Sequence, residues 1–257
     1  MKIKDVVSAL ERFAPLPLQE SYDNAGLQIG LTDAEVSGVL LCLDVTEEVV
    51  KEAVDLGCNL IVSHHPLLFR GVKRISDATM VERCVWTAIR NGVAIYSAHT
   101  NLDNVSGGVN HKIAEKLGLV KTDFLRPQGE GGSGLVGFLK EEESPHDFLL
   151  GVKEKFGIKC LLHNSGPLRP VRKVALCGGA GDFLLEDAVS AGADVFLTGE
   201  MHYHQFFGLE NSLWIGVMGH YQSEKFTIEL LQEYLCGEFP EMKLMGTSIN
   251  TNPIFYL

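Results

Sequence analysis

The chain has 257 residues, of which 46% are apolar and 21% charged, a length and composition typical of one large or two modest globular domains. The formal net charge of −11 makes nucleic acid an unlikely partner, although it allows a small anionic ligand held by a metal. The start, MKIKDVVSALERFAP, lacks the apolar core of a signal peptide, and no apolar run is long enough to span a bilayer. We therefore expect a cytoplasmic protein that does not enter the membrane.

Short apolar runs alternate with amphipathic helices along the first half. The predicted order is strand VLLC from Val39, helix TEEVVKEAVDLG ending at Gly57, strand NLIVS, helix MVERCVWTAIRNG ending at Gly92, and strand VAIYSA. Strands separated by helices are typical of βαβ units. The fold class is therefore predicted as α/β, with layers of helices around a largely parallel sheet.

The second half repeats this plan at an offset of 135 residues. Without gaps, VLLCLDVTEEVVKEAVDLGCNLIVSHH aligns with VALCGGAGDFLLEDAVSAGADVFLTGE, and Cys42 then matches Cys177 while Gly57 matches Gly192. Two βαβ units can resemble each other through pattern alone, so a duplication is one of two explanations. The repeat predicts two linked α/β domains of similar plan.

The helix and strand pattern weakens between residues 121 and 170. The stretch QGEGGSG is predicted as a flexible turn or loop, and GLVGFLK and KCLLHNSG are predicted strands on either side of the helix HDFLLGVKEKFG. The predicted division is a first domain of residues 1–120 and a second of residues 121–257, whose C-terminal segment is a candidate to return to the first domain. Six scattered cysteines without a CxxC motif predict free thiols.

Polar side chains collect at the predicted ends of strands, where α/β proteins bind their ligands. In the first half these residues are Ser63-His64-His65-Pro66 and His99 to Asp103, and in the second half Thr198-Gly199-Glu200 and His220 to Glu224. The spacing H-x3-D of one half recurs as H-x3-E in the other. Five of the residues at these strand ends, drawn from both halves, are the candidate metal ligands: His64, His65, Asp103, His220 and Glu224.

The geometry of regular elements suggests how these ligands are arranged. Residues four apart share one face of a helix, so His220 and Glu224 converge if a helix follows Gly219. Successive side chains of a strand alternate, so His64 and His65 are expected to point apart, and either one is idle or each serves a different ion. Imidazole and carboxylate ligands suit zinc, iron or manganese.

The remaining histidines, Asp23-Asn24 and the glycine turns have simpler structural interpretations. His111, His146 and His163 are predicted surface or packing residues, and His202 and His204 belong to a weaker motif. Asp23-Asn24 precedes the strand LQIG and is either a turn or a source of partners for a metal ligand. The glycine turns GGVN and GGAGD resemble phosphate-binding turns but lack the lysine of a P-loop.

Six motifs along the chain resemble those of the GTP cyclohydrolase I type 2 homologues, the family of NGG-one-interacting factor three. They are DNAGLQIG, SHHPLLF, AHTNLDN, GGVN, GADVFLTGE and GHYQSE. The resemblance implies two α/β domains with a dinuclear metal site at their interface, and a ring-like homohexamer. It also implies the same five ligands. Longer members carry an inserted domain where this chain has only the short segment from about residue 121 to residue 170.

The function expected from these motifs is a metal-dependent hydrolase acting on a nucleotide-like substrate. In this hypothesis Glu224 bridges two divalent ions, with His65 and Asp103 on one and His64 and His220 on the other. His99 and Glu200, which the repeat pairs with ligand regions of the opposite half, are candidate proton handlers. The alternative is a non-enzymatic metal-binding scaffold or regulatory protein.

Overall fold

The computed structural model describes residues 1–257, which form two compact units. The first unit consists of residues 1–102 and 227–253, and the second of residues 103–226 and 254–257. The chain therefore passes from one unit to the other three times. The boundary predicted after residue 120 lies within the second unit. It stays a prediction about independently folding domains, because compactness alone does not show which segments fold on their own.

The secondary structure comprises 11 strands and nine α-helices in mixed order. The strands are β1 (Gly26–Ile29), β2 (Val39–Cys42), β3 (Leu60–Ser63), β4 (Ala94–Ser97), β5 (Val120–Gln128), β6 (Gly131–Glu143), β7 (Leu162–His163), β8 (Val171–Cys177), β9 (Val195–Thr198), β10 (Trp214–Val217) and β11 (Leu244–Gly246). The helices are α1 (Ile3–Phe13), α2 (Glu47–Asp55), α3 (Met80–Arg90), α4 (Thr100–Asn104), α5 (Val109–Leu117), α6 (Pro145–Lys155), α7 (Leu185–Ser190), α8 (His220–Glu224) and α9 (Thr227–Glu238). None of the helices combines the length and the apolar character needed to span a bilayer.

The first unit contains a five-stranded sheet in the order β1-β4-β3-β2-β11. Strands β4, β3, β2 and β11 run parallel, and β1 is the antiparallel edge strand. Every residue of β2, β3 and β4 is buried, as expected for strands covered on both faces. Thr46 and Thr79 cap α2 and α3 by accepting hydrogen bonds from backbone N–H groups of the first turn. The predicted parallel sheet with helical layers is confirmed for this unit.

The second unit contains a six-stranded sheet in the order β5-β6-β8-β9-β10-β7. Only β8, β9 and β10 are parallel, so this sheet is mixed rather than largely parallel. The difference arises in the stretch QGEGGSG, most of which is strand. Only residues 129 and 130 form the turn, and Gly132 lies in β6, where an added Cβ would approach the Arg126 carbonyl oxygen to 2.6 Å. Its glycines allow close pairing of β5 with β6 instead of forming a loop.

The two parallel cores share one register. In the first unit Val39 pairs with Leu60 and Cys42 with Ser63, and in the second Val174 pairs with Val195 and Cys177 with Thr198. Adding 135 to the number of each paired residue in the first unit gives the number of the corresponding paired residue in the second unit, which is the offset found in the sequence. Both units are therefore α/β with the same βαβ core, which confirms the predicted fold class.

The short helices after β4 and β10 also correspond, but at a different offset. Strand β4 and helix α4 match β10 and α8 when 120 residues are added. Under this alignment His99 matches Gly219 and His220 matches Thr100. The recurrence of H-x3-D as H-x3-E is therefore displaced by one residue in the structure, because His99 precedes its helix whereas His220 begins one.

Candidate metal-binding residues

Three imidazoles of the first unit lie together beyond the carboxyl ends of β3 and β4. The ring centroids of His64 and His65 are 4.9 Å apart, and those of His99 lie 5.3 Å from His64 and 5.5 Å from His65. One ring nitrogen from each residue falls within 4.8 Å of the other two. We call these residues the histidine cluster. Their number and spacing are suitable for holding a metal ion.

The prediction that His64 and His65 point apart is wrong. Strand β3 ends at Ser63, and the next two backbone N–H groups both donate to β2 and its extension, His64 to the Cys42 carbonyl and His65 to the Leu43 carbonyl. Consecutive donation toward one neighbour breaks the alternation of a regular strand. The two adjacent rings therefore reach the same region.

Each imidazole of the histidine cluster has its Nδ1 next to an oxygen acceptor. The distances are 2.8 Å from His64 to the Ala98 carbonyl oxygen, 2.7 Å from His65 to Asp44 Oδ1 and 2.7 Å from His99 to Asp23 Oδ1. An acceptor beside Nδ1 places the proton there and leaves the lone pair of a neutral ring on Nε2. This is the tautomer found when a histidine binds a metal through Nε2.

The two carboxylates that support the cluster are ionised. Burial raises the pKa of Asp23, but hydrogen bonds from His99 and Thr100 lower it by more than burial raises it. The resulting pKa of Asp23 is about 2. Burial likewise raises the pKa of Asp44, and hydrogen bonds from His65 and Thr251 bring it below its usual value. Both groups therefore carry a negative charge at neutral pH and act as hydrogen-bond acceptors that orient the rings they hold.

A second group of polar side chains lies at the end of β10 in the second unit. Helix α8 begins at His220, as the sequence predicts, and His220 Nε2 lies 3.1 Å from Glu224 Oε2. Glu200, at the end of β9, approaches His220 Nδ1 to 2.7 Å. With Nδ1 donating to Glu200, the contact with Glu224 requires a proton or a metal ion between two electron-rich atoms. Two ligand atoms that each lie about 2.0–2.2 Å from the same ion are roughly 3 Å apart, which is close to the distance between His220 Nε2 and Glu224 Oε2.

Asp103 belongs to the second unit, where its carbonyl oxygen accepts a hydrogen bond from Asn110. Burial raises the pKa of the Cys177 thiol, and the negative charges of Asp103 and Glu224 raise it further. The charges of both carboxylates therefore influence Cys177, the last residue of β8. All six cysteines are free, as predicted, and four of them are buried.

The glycine turn GGAGD packs against Glu224 instead of forming a phosphate cradle before a long helix. Gly179 has φ +61, and an added Cβ would lie 2.3 Å from Glu224 Oε1. Its backbone N–H donates to Ser223 Oγ, which in turn donates to the His220 carbonyl oxygen. The turn thus fixes the helix that carries His220 and Glu224.

Replacing Gly179 with alanine is expected to displace the Glu224 carboxylate. Gly192 is a matched control, because it has φ +65 but no atom within 4 Å of an added Cβ. We expect Gly192→Ala to cost about 1 kcal/mol for its left-handed backbone, and Gly179→Ala roughly 1 kcal/mol more. Urea unfolding measures both. Equal losses would contradict the packing of Gly179 on Glu224.

Sequence reasoning missed Asp44 and only partly anticipated Asp23. Asp44 follows β2 at the same sheet edge as His65, so the rule that selected the other strand ends would have found it. Asp23 reaches His99 across 76 positions of sequence, and no local spacing signals that contact. His202 contacts Asp182 at 2.7 Å but is largely exposed, and His204 contacts aromatic rings.

Comparison with known proteins gives the family. A model described as Duf34/NIF3 (NGG1p interacting factor 3) matches residues 1–253. A Clostridium perfringens protein named GTP cyclohydrolase 1 type 2 homolog is 36% identical over 229 residues, which is 87% of each chain. A Bacillus cereus protein related to NIF3 has a crystal structure with a TM-score of 0.90 at 27% identity, covering 100% of this chain and 99% of its own. A Staphylococcus aureus hypothetical protein gives 0.91 at 28% identity with the same coverage. The chain therefore belongs to the Duf34/NIF3 family, as the motifs indicate.

Proposed function

We propose that this protein binds two divalent metal ions and hydrolyses a nucleotide-like small molecule. The metal ligands in this proposal are His64, His65, Asp103, His220 and Glu224. The observation that supports it is the shared state of the imidazoles: His64, His65 and His220 each have Nδ1 held by an oxygen, so Nε2 is the nitrogen available to a metal.

The donor set suits a hard or borderline divalent ion. Three imidazoles and two carboxylates offer nitrogen and oxygen ligands, which zinc, iron and manganese all accept. Thiolate does not contribute, since burial raises the pKa of Cys177 and keeps its thiol protonated. Metal availability therefore decides which ion the site holds.

When bound, such ions supply Lewis acidity that polarises a substrate oxygen and lowers the pKa of water. The chain's own contribution is to hold protons and orient ligands. His99, backed by the ionised Asp23, is the proposed proton handler, because a carboxylate on Nδ1 orients the ring and fixes its tautomer. Glu200 is the second proposed proton handler, and its contact with His220 adds a positioning role.

Two exposed aromatic rings beside His99 favour a planar substrate. Phe69 lies 6.1 Å from the His99 ring, and Tyr22 lies 6.4 Å from Phe69, both in edge-to-face geometry. Exposed aromatic faces near a reactive group can stack on a heterocyclic base. The name of the Clostridium perfringens relative also refers to a GTP cyclohydrolase. The two candidate reactions are hydrolysis at the imidazole carbon of guanine and hydrolysis at phosphorus.

The test is turnover by metal-loaded protein. We expect protein reconstituted separately with zinc, iron and manganese to release formate from GTP, or phosphate from nucleotides or phosphodiesters, and to lose this activity after chelation. Formate release identifies the cyclohydrolase reaction and phosphate release the phosphoesterase reaction. The control is chelated protein to which the same ion is added back.

The non-enzymatic alternative gives a different result. Protein that carries two ions per chain but turns over none of these substrates would contradict the hydrolase and support a metal-binding scaffold. Protein that binds no ion would contradict both. The homohexamer implied by the family resemblance stays a prediction.

A further inference from the structure

A basic pocket lies in the second unit, at one end of the three neighbouring strands β5, β6 and β8. It is a concavity open to solvent, with a volume of about 500 Å³. The pocket is lined by Val120, Lys121, Phe138, Leu139, Lys140 and Arg172. None of these residues is a predicted metal ligand or proton handler. The pocket is therefore a site that the proposed hydrolase does not use.

The cationic side chains of this pocket form no ion pairs within the protein. Lys121, Lys140 and Arg172 come from three different strands, and no acidic side chain forms an ion pair with any of them. Other arginines of the same unit are paired, Arg126 with Asp187 and Arg169 with Asp194. In a chain of net charge −11, three unpaired cations in one concavity create a local positive potential that attracts an anion.

The backbone is irregular at this point in both ladders. The β5–β6 register shifts between Val120 and Asp123, and the β6–β8 register shifts between Phe138 and Glu143. Lys121 has φ 52 and is the one residue other than glycine with a positive φ. Bulges often re-aim side chains next to functional sites, and a strained non-glycine residue persists only where its surroundings favour it.

The floor of the pocket is apolar and closely packed. An added Cβ at Gly137 would lie 3.0 Å from Thr122 Cγ2, so β5 and β6 approach each other tightly beside the pocket. Lys173 Nζ lies 5.7 Å from the Phe138 ring centroid and adds a further positive charge near the floor. The cations therefore lie beside apolar side chains of the sheet.

We propose that this pocket binds a small phosphorylated molecule. Its phosphoryl oxygens contact Lys121, Lys140 and Arg172, because guanidinium and ammonium groups form short charged hydrogen bonds with phosphate. Val120 and Leu139 contact the carbon skeleton. A small anion fits better than a nucleic acid, since the net negative charge of the chain opposes a long polyanion.

The test is calorimetric titration of the metal-loaded full-length chain with pyrophosphate. We expect Lys140→Gln and Arg172→Gln each to weaken binding about tenfold or more, since each removes a charged hydrogen bond. Lys159→Gln is the matched control, because it removes an exposed lysine of the same unit outside the pocket. It should leave the dissociation constant unchanged.

Lys121→Gly separates binding from folding. Glycine adopts a positive φ without strain, so this variant is expected to weaken pyrophosphate binding about tenfold while its melting temperature stays equal or rises. Absence of pyrophosphate binding to the unaltered chain would overturn the proposal. So would equal weakening by Lys159→Gln, or loss in Glu224→Gln with the pocket variants unaffected, since the anion would then bind nonspecifically or at the proposed metal ligands.

Discussion

Replacing Glu224 with glutamine is expected to remove at least one of the two proposed metal ions and to lower turnover on the order of 10³-fold. Glu224 is only 4% exposed and lies 3.1 Å from His220 Nε2, so its charge is placed where an ion would neutralise it. Glutamine keeps the shape of the side chain but not the charge. Elemental analysis by mass spectrometry after gel filtration gives the metal content per chain.

The matched control for this variant is Glu154→Gln, which removes an exposed carboxylate from α6 of the same unit. It should keep the full metal content and activity. Full metal content in Glu224→Gln would show that Glu224 is not a ligand. Retained metal with lost turnover would instead place Glu224 among the groups that act on the substrate.

Replacing His99 with glutamine is expected to lower kcat about 10²- to 10⁴-fold and to leave metal content unchanged. His99 lies 5.3 Å from His64 and 5.5 Å from His65 between ring centroids, so its position is compatible both with proton transfer and with metal binding. Measuring both turnover and metal content distinguishes the two roles. A proton handler affects turnover alone, whereas a ligand affects metal content as well.

Asp23→Asn tests the support of this ring. The ionised Asp23 holds His99 Nδ1 at 2.7 Å, and an amide can present its NH₂ group there and favour the other tautomer. We expect kcat to fall in the same direction as in His99→Gln, with metal content retained. His146→Gln, at an exposed position, is the control for loss of a histidine. Loss of metal in both His99→Gln and Asp23→Asn would reassign His99 as a ligand.

The parallel cores could be predicted from the sequence because buried strands and amphipathic helices leave strong local patterns. VLLC, LIVS and AIYS are strands in the structure, and the 135-residue offset reappears in the strand register. The antiparallel half of the second sheet could not be predicted in this way. By local sequence rules, the glycines at 132 and 134 predict a loop. Their presence in a strand is explained by close tertiary contacts, with β5 at Gly132 and with the Leu176 carbonyl oxygen at Gly134.

The residue types of the candidate site could be predicted from the sequence, but the orientations of its side chains could not. Strand ends carried the histidines and acids, and the i, i+4 spacing of His220 and Glu224 correctly predicted their contact. The orientation of His64 and His65 depended on where β3 stops, which alternation alone cannot give. The supporting role of Asp23 depends on tertiary packing, since its partner is far away in sequence.

The assignment of residues 227–253 to the first unit has a consequence for synthesis of the chain. Strand β11 pairs with β2 and closes one side of the first sheet, and Tyr234 of α9 donates a hydrogen bond to the Ala9 carbonyl oxygen. On the ribosome, the apolar strand β2 therefore keeps an unpaired edge until β11 has emerged. Such edges invite pairing with other nascent chains. A chaperone that shields this edge, or slow translation of residues 227–253, would influence the yield of folded protein more than it would for a unit built from one continuous segment.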